Sequence, residues 1–251
     1  MSVDLSGRRI LITGASSGIG AATARVVVRS GGSVALLARR KERLDELCGE
    51  LGERAIGVAC DVTDTDALTA AVDEAARTLG GLDGLVAAAG QSMVGSIATG
   101  SSDKWRDLLD LNIIGPLAAA RDALKHFPAS GRRDIVIVGS SGGLTTMPGV
   151  GLYAASKRGL QAAVDTLRVE MAPHSINVGL VMPGFFDTEI LSTSVNVNGE
   201  APLTPMAPLF VDGGAPQPPS VLAESIAFML AQPEGTAINE LVVRPTGQLS
   251  P

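Results

Sequence analysis

Tyr153 and Lys157 stand four residues apart in Tyr153-Ala-Ala-Ser-Lys157, a spacing that puts both side chains on one face of a helix. The stretch from Leu152 to Met171 supports that helix, because Leu160, Ala163, Val164, Leu167 and Met171 recur at helical spacing. A phenol beside an ammonium is equipment for proton transfer. A free phenol titrates at roughly 10, and bringing it to roughly 7 takes about 4 kcal/mol. An ammonium at ~4 Å supplies about 1 kcal/mol in water but about 4 at an effective dielectric near 20. The pair works only if the fold partly buries it. A third group lies upstream, where Gly139-Ser140-Ser141-Gly142-Gly143 follows the apolar run Ile135–Val138. A hydroxyl at the carboxyl end of a strand can hydrogen-bond a substrate oxygen beside the tyrosine. Tyr-x-x-x-Lys alone is common by chance and ordinarily a surface pair; the serine and a second glycine-rich turn argue otherwise here.

That second turn comes early. Arg9–Thr13 reads as a buried strand, Gly14-Ala15-Ser16-Ser17-Gly18-Ile19-Gly20 as a turn, and Ala21–Arg29 as a helix. The spacing is Gly-x-x-x-Gly-x-Gly, not the Gly-x-Gly-x-x-Gly of the common dinucleotide fingerprint, but the physics is shared. Glycines let backbone approach a pyrophosphate, and the helix start offers unpaired N–H donors and a positive dipole end.

Together these residues resemble the short-chain dehydrogenase/reductase family in its single-domain form, and the likeness runs over nearly all of the 251 residues. The resemblance implies an α/β fold: a Rossmann-type doubly wound, mostly parallel sheet of about seven strands with helices on both faces. It implies that Ser140, Tyr153 and Lys157 are catalytic, with Asn112 as a fourth member whose helix kink holds a proton-relaying water. Gly115-Pro116 makes a kink plausible, although Asn112 could equally be a satisfied buried amide. By the same resemblance Gly14, Ser16, Ser17, Gly18, Ile19, Gly20, Ala89 and Gly90 line the cofactor. Asp61-Val62 packs beside the adenine; Asp61, Thr63 or Asp64 could also simply cap the helix Ala67–Thr78. Lys157 lowers the tyrosine pKa and, with Tyr153, holds the nicotinamide ribose. Pro183-Gly184-x-x-x-Thr188, with backbone near Phe186, holds the carboxamide.

The second strand, Ser33–Ala38, ends at Arg39-Arg40-Lys41. Ala38 stands where NAD-preferring members of the resembled family carry Asp, and Arg39 follows. Arginine there reads a 2′-phosphate, so NADP(H) is the expected cofactor, with Arg40 a possible second contact; the alternative is a solvated basic start to the helix 42–51. One departure concerns strand four, residues 83–90, where Ala87-Ala88-Ala89-Gly90 replaces the family's usual Asn-Asn-Ala-Gly.

Composition narrows the rest. Apolar residues are 45% of the chain, enough for a core, and with a net charge of −6 and no basic cluster among aromatics nothing suggests nucleic-acid binding. No run of ~18 apolar residues exists, so no membrane span is expected. The amino terminus lacks an apolar signal region, and two cysteines make no disulfide framework, so a reducing cytoplasm is expected. Cys60 reads as a strand-end core residue. His126 and His174 read as solvated, leaving no histidine-based metal site. Trp105, Leu108, Leu109 and Leu111 read as the core face of a helix 103–112. Strand six, Ile176–Val181, and then a helix 221–230 and a strand 240–243 complete one domain. Between them, residues 187–219 lose periodicity and read as a substrate lid. Phe185, Phe186, Met206, Leu209 and Phe210 crowd it, and no Lys or Arg lies between Val169 and Val243, so the small carbonyl or alcohol substrate should be neutral and largely apolar. The resemblance further implies a homo-oligomer, dimer or tetramer, formed through the helix bearing Tyr153.

Two other functions compete. Gly139-Ser-Ser141-Gly-Gly143 matches the nucleophile elbow of serine hydrolases, but Met147-Pro148 soon after cannot continue a helix and no histidine lies beyond His174. A catalytically silent, NADP(H)-binding or scaffolding protein on the same fold finds support only in Ala87-Ala88.

Overall fold

The structure is a computed structural model that describes residues 3–144, 148–190, 194–196 and 215–248, with backbone alone at 195 and 196. Most of the expected lid, including Met206, Leu209 and Phe210, lies outside the described residues.

Strands β1 (Arg9–Thr13), β2 (Ser33–Ala38), β3 (Ala55–Ala59) and β4 (Gly84–Ala87) alternate with helices α1 (Gly18–Arg29), α2 (Lys41–Leu51) and α3 (Thr65–Leu79). A short strand β5 (Met93–Val94) precedes α4 (Ser102–Leu109) and α5 (Gly115–Leu124). Then come β6 (Asp134–Val138), α6 (Gly151–Met171), β7 (Asn177–Pro183), β8 (Val195–Asn196), α7 (Pro219–Leu230) and β9 (Glu240–Val243). Seven strands form one sheet in the order β3-β2-β1-β4-β6-β7-β9, and every pairing is parallel. Strand four is shorter than its apolar run suggested, since Ala88–Gly90 leave the ladder as a loop.

Parallel strands covered on both faces should read as continuous apolar runs, and these do. Alternate side chains go to opposite faces: Ile10, Ile12, Val34, Leu36, Val136 and Val138 join α1, α2 and α7 in one core. Leu11, Ala35, Leu37, Ile135 and Ile137 join α3, α5 and α6 in the other. The chain winds outward from β1 to β3, then returns to place β4 on the other side of β1. The strand order reverses there, which opens a crevice at the carboxyl ends of β1 and β4.

The amino-terminal edge of the sheet is closed by charge. Arg8 donates to Asp83 Oδ1 at 2.6 Å, to Asp134 Oδ2 at 2.7 Å and to the Leu230 carbonyl at 3.1 Å. Arg9 Nε reaches Asp83 Oδ2 at 3.2 Å, and Asn177 Nδ2 donates to Asp134 Oδ1 at 2.9 Å.

Helix α4 corrects one expectation. Only Leu108 on it is buried, with Trp105, Leu109 and the following Leu111 partly exposed. The apolar stripe is real, but this helix lies at the periphery, with Trp105 packed over Gly100 rather than into the core.

Candidate active site

The glycine-rich turn brings two backbones into contact. Gly14 has φ +68, and a Cβ built there would stand 2.7 Å from Ala89 N and 2.8 Å from the Ala88 carbonyl. Only glycine satisfies both the dihedral and the approach. The turn therefore seats against the end of β4, where Ala89 N–H donates to Thr13 Oγ1 at 3.3 Å. Ala87 and Ala88 sit on opposite faces, Ala87 buried in one core and Ala88 packed against the other. Small apolar side chains fill those positions without leaving this backbone N–H unpaired.

Helix α1 starts at Gly18, and Ser17 before it makes no side-chain cap. Its first N–H groups face a cavity of about 290 Å³, near the lower bound for ligand pockets. Of the expected cofactor residues, Gly14, Ser16, Ser17, Gly18, Ile19, Gly20, Arg39, Asp61, Val62, Ala89, Gly90 and Thr188 line it. The glycine cradle, free helix start and flanking arginines fit a dinucleotide's phosphates. Pro183, Gly184 and Phe186 do not line it, nor do Tyr153 and Lys157, which lie beyond Gly90. Pro183 ends β7, and Gly184 N–H donates to the Val243 carbonyl at 2.8 Å. Phe186 is 3% exposed and belongs to the core, so it is no part of an apolar lid; its backbone bridges to Gln217, which closes the base of the 187–219 segment.

At the adenosine end the two arginines differ. Arg39 Nη1 lies 3.6 Å from Asp61 Oδ2, on well-exposed side chains. Arg40 reaches inward: Nε and Nη2 donate to Ser16 Oγ at 3.1 and 2.9 Å, Nη2 to Ser17 Oγ at 2.8 Å, and Nη1 to Glu189 Oε2 at 2.8 Å. Burial pushes the Asp61 carboxyl up, but bonds from Thr63 and then Arg39 outweigh it and leave the group lowered. Asp64, not Asp61, caps α3 by accepting from Ala67 N–H at 3.0 Å.

The catalytic candidates converge beside Gly90. Asn112 lies in a π-helical turn, Asp110–Ile114, inserted between α4 and α5; such bulges favour functional sites. A Cβ on Gly90 would lie 3.3 Å from Asn112 Oδ1 and 3.5 Å from Lys157 Nζ. The Asn112 amide is fully buried and satisfied: Oδ1 accepts from Gln91 N–H at 3.0 Å, while Nδ2 donates to Gln91 O at 3.0 Å and Ser156 Oγ at 3.1 Å. Ser156 in turn donates to the Tyr153 carbonyl at 2.7 Å. The side chain thus ties the loop after β4 to the helix that carries the tyrosine.

Ser140 Oγ accepts from Gly142 N–H at 3.0 Å and is hydrogen-bonded to the Tyr153 side chain. Gly143 lets the Ser141–Gly143 turn rest on α6, since a Cβ there would be 3.0 Å from Lys157 Cβ. Lys157 is 6% exposed and donates to the Val138 carbonyl at 3.2 Å. Burial pushes its ammonium down to about 8. Burial also lifts the Tyr153 phenol, with the Ser140 bond opposing; the ring keeps some contact with solvent, which limits that lift. The expected lowering of the phenol by Lys157 is not met in this arrangement. The ammonium sits 6.0 Å from the ring centroid and points its proton at Val138, so desolvation dominates.

Ser156, Glu189 and Gln91 escaped the sequence reading. Ser156 had a signal, a hydroxyl on the helix face that carries Lys157, whereas the position of Glu189 depends on how the chain leaves β7. His126 is not merely solvated, since its Nε2 lies 2.7 Å from Asp73 Oδ1. Among the described residues no cluster of His, Cys, Asp and Glu could hold a metal, and no helix is long and apolar enough to cross a membrane. Ser141, the hydrolase candidate, is 2% exposed in a single 3₁₀ turn, not on a strand-to-helix elbow.

Known proteins align with this geometry. Glycine betaine reductase of Emericella nidulans is 36% identical over 96% of this chain, which spans only 19% of that protein's length. An uncharacterized oxidoreductase of Listeria monocytogenes is 32% identical over 95% of this chain and 96% of its own. Among solved structures, 3-ketoacyl-(acyl-carrier-protein) reductase from Brucella melitensis, complexed with NADH, has a TM-score of 0.85 at 27% identity, covering 96% and 98% of the two chains. A short chain dehydrogenase from Burkholderia cenocepacia, in complex with NADP, has a TM-score of 0.83 at 30% identity, covering 96% and 97%. The short chain dehydrogenase family model matches residues 8–198, and the chain is a member of that family of oxidoreductases.

Proposed function

We propose an NADP(H)-dependent oxidoreductase that interconverts a neutral, largely apolar carbonyl compound and its alcohol. The observation that carries the reading is the convergence of Ser140, Tyr153 and Lys157 at the carboxyl end of the sheet, beside the cavity under the glycine-rich turn. Bound NADP(H) supplies the hydride donor or acceptor.

The chain's own residues handle the proton and the orientation. Ser140 hydrogen-bonds the substrate oxygen, and Tyr153 Oη gives that oxygen its proton in reduction or takes it in oxidation. Burial of Lys157 makes its charge easy to lose and sensitive to any new neighbour, a property suited to returning a proton to the tyrosine. The Asn112 amide, through Ser156 and Gln91, holds the two walls of the site in register. The apolar substrate class rests on the absence of Lys and Arg from 170 to 242. We read the protein as cytoplasmic, since both cysteines are thiols, and as a dimer or tetramer paired through α6, whose exposed face includes Val169. A screen of diketones and secondary alcohols with NADPH, NADH and their oxidised forms tests the function. NADPH binding without turnover of any substrate would favour the silent-protein reading.

A further inference from the structure

The adenosine end of the cavity is charge-balanced. Its two arginines each face a carboxylate on the same lining, Arg39 with Asp61 and Arg40 with Glu189. Glu189 is on the chain leaving β7, next to Thr188, whose side chain packs against Gly18. Arg40 gives one edge of its guanidinium to Ser16 and Ser17 and its other amine to Glu189. The two serines accept from the arginine, Ser17 also donates its hydroxyl proton to Glu189, and Ser16 keeps its own to donate. Arg40, Ser16 and Ser17 therefore form an anion receptor, and the anion it holds in this structure is a side chain of the protein itself.

We infer that Glu189 is a specificity-determining residue: its carboxylate competes with the 2′-phosphate of the dinucleotide for Arg40, and so tempers the preference for phosphorylated cofactor. The inference rests on the NADP(H) reading. A phosphate that reaches the same guanidinium meets a like charge unless Glu189 swings away. Swinging costs little, because the pair is half exposed, with side chains 45% and 42% accessible. An exposed pair is worth about two- to fivefold in an equilibrium constant, and that factor is the brake on 2′-phosphate binding.

Glu189→Gln is the test, since glutamine keeps the volume and an acceptor for Arg40 while removing the charge. Calorimetric titration of the full chain with adenosine 2′,5′-bisphosphate and with AMP separates the two phosphates. The variant should bind the bisphosphate about two- to fivefold more tightly, with AMP unchanged. Equal tightening of both ligands overturns the inference and moves the competition to the 5′-phosphate. No change, or weaker bisphosphate binding, overturns it as well. Glu189→Ala guards against a mere orienting role: if it loses bisphosphate affinity while Gln is neutral, Glu189 positions Arg40 and does not compete with phosphate. Wild type that binds AMP as tightly as the bisphosphate would instead sink the NADP(H) reading, whatever the variants do.

Discussion

Arg8 and Lys157 are buried to the same degree at opposite edges of one sheet, 8% and 6% exposed, and the fold treats their charges in opposite ways. Arg8 at the amino edge meets two carboxylates and two carbonyls within 3.1 Å. Lys157 at the carboxyl edge meets one carbonyl at 3.2 Å, and burial pushes its pKa down to about 8. A saturated charge locks a structure, whereas an under-partnered one can respond to what enters the site. The amino edge should therefore govern stability and the carboxyl edge chemistry.

The strongest way to break that contrast is to open the amino edge. Asp134→Ala leaves Arg8 to share a single buried carboxylate, Asp83, with Arg9 and removes one of the two acceptors of Asn177 Nδ2, at a site where the acid is 3% exposed. Removing one partner of a buried pair costs about 3–5 kcal/mol, so Tm should fall by roughly 6–20 °C. The kcat of the folded fraction should not change. A loss of kcat in step with Tm would show the two edges to be coupled.

Lys157→Met tests the other side, and there the expected sign is reversed. The ammonium's pKa drops from 10.5 to about 8 on folding, so below pH 8 the folded state carries a cost of about 3 kcal/mol, before any loss from the Val138 bond. Between pH 8 and 10.5 the unfolded chain holds a proton that the folded one has released, so wild-type stability rises with pH across that window. In urea unfolding the methionine variant should be more stable than wild type at pH 7, and that advantage should shrink toward pH 10.5. A methionine variant less stable than wild type at pH 7 would mean that Val138 and the surrounding walls already compensate the charge.

Tyr153→Phe keeps the ring and its packing but removes the proton donor. A rate loss of at least ~10²-fold is expected, with NADPH affinity nearly unchanged. Turnover close to wild type would end the mechanism.

What the sequence made legible follows the same division. Core strands announced themselves because burial on both faces requires unbroken apolar runs, as in Ile135–Val138. The convergence of the three candidate residues was legible because Tyr153 and Lys157 share a helix and Ser140 follows a strand. A kink at Asn112 was expected from the resemblance, but its π-helical form was not, since nothing in Asp110–Ile114 distinguishes i→i+5 bonding from an ordinary helix. The short pairing of β5 with β8 was equally hidden, being two residues long on each side. The Arg40–Glu189 pair spans 149 positions, and such pairing emerges only when both loops are in place. Arg39, adjacent to the strand, looked the better phosphate reader because β2 alone does not say which arginine turns inward.

The smallest expected effect belongs to those exposed arginines. Both sit at the carboxyl edge, yet neither is buried, so the contrast between edges predicts modest, additive contributions. Arg39 has no carboxylate at position 38 to oppose a 2′-phosphate, and its partner Asp61 is 3.6 Å away on a 40% exposed side chain. A charge-assisted bond to phosphate contributes about 1.5–3 kcal/mol, but exposure and the competing Asp61 favour the low end, roughly tenfold in NADPH preference. Arg40 is bound to Ser16 and Ser17 as well as Glu189, so Arg40→Ala also loosens the glycine-rich turn. The measurement is kcat/KM with NADPH and NADH for wild type, Arg39→Ala, Arg40→Ala and Ala38→Asp. Arg39→Ala should harm NADPH alone, Arg40→Ala should harm NADPH more and NADH somewhat, and Ala38→Asp should tilt the ratio toward NADH. If Arg39→Ala weakens both cofactors equally while Arg40→Ala harms NADPH alone, the inward arginine is the reader and Arg39 only screens Asp61.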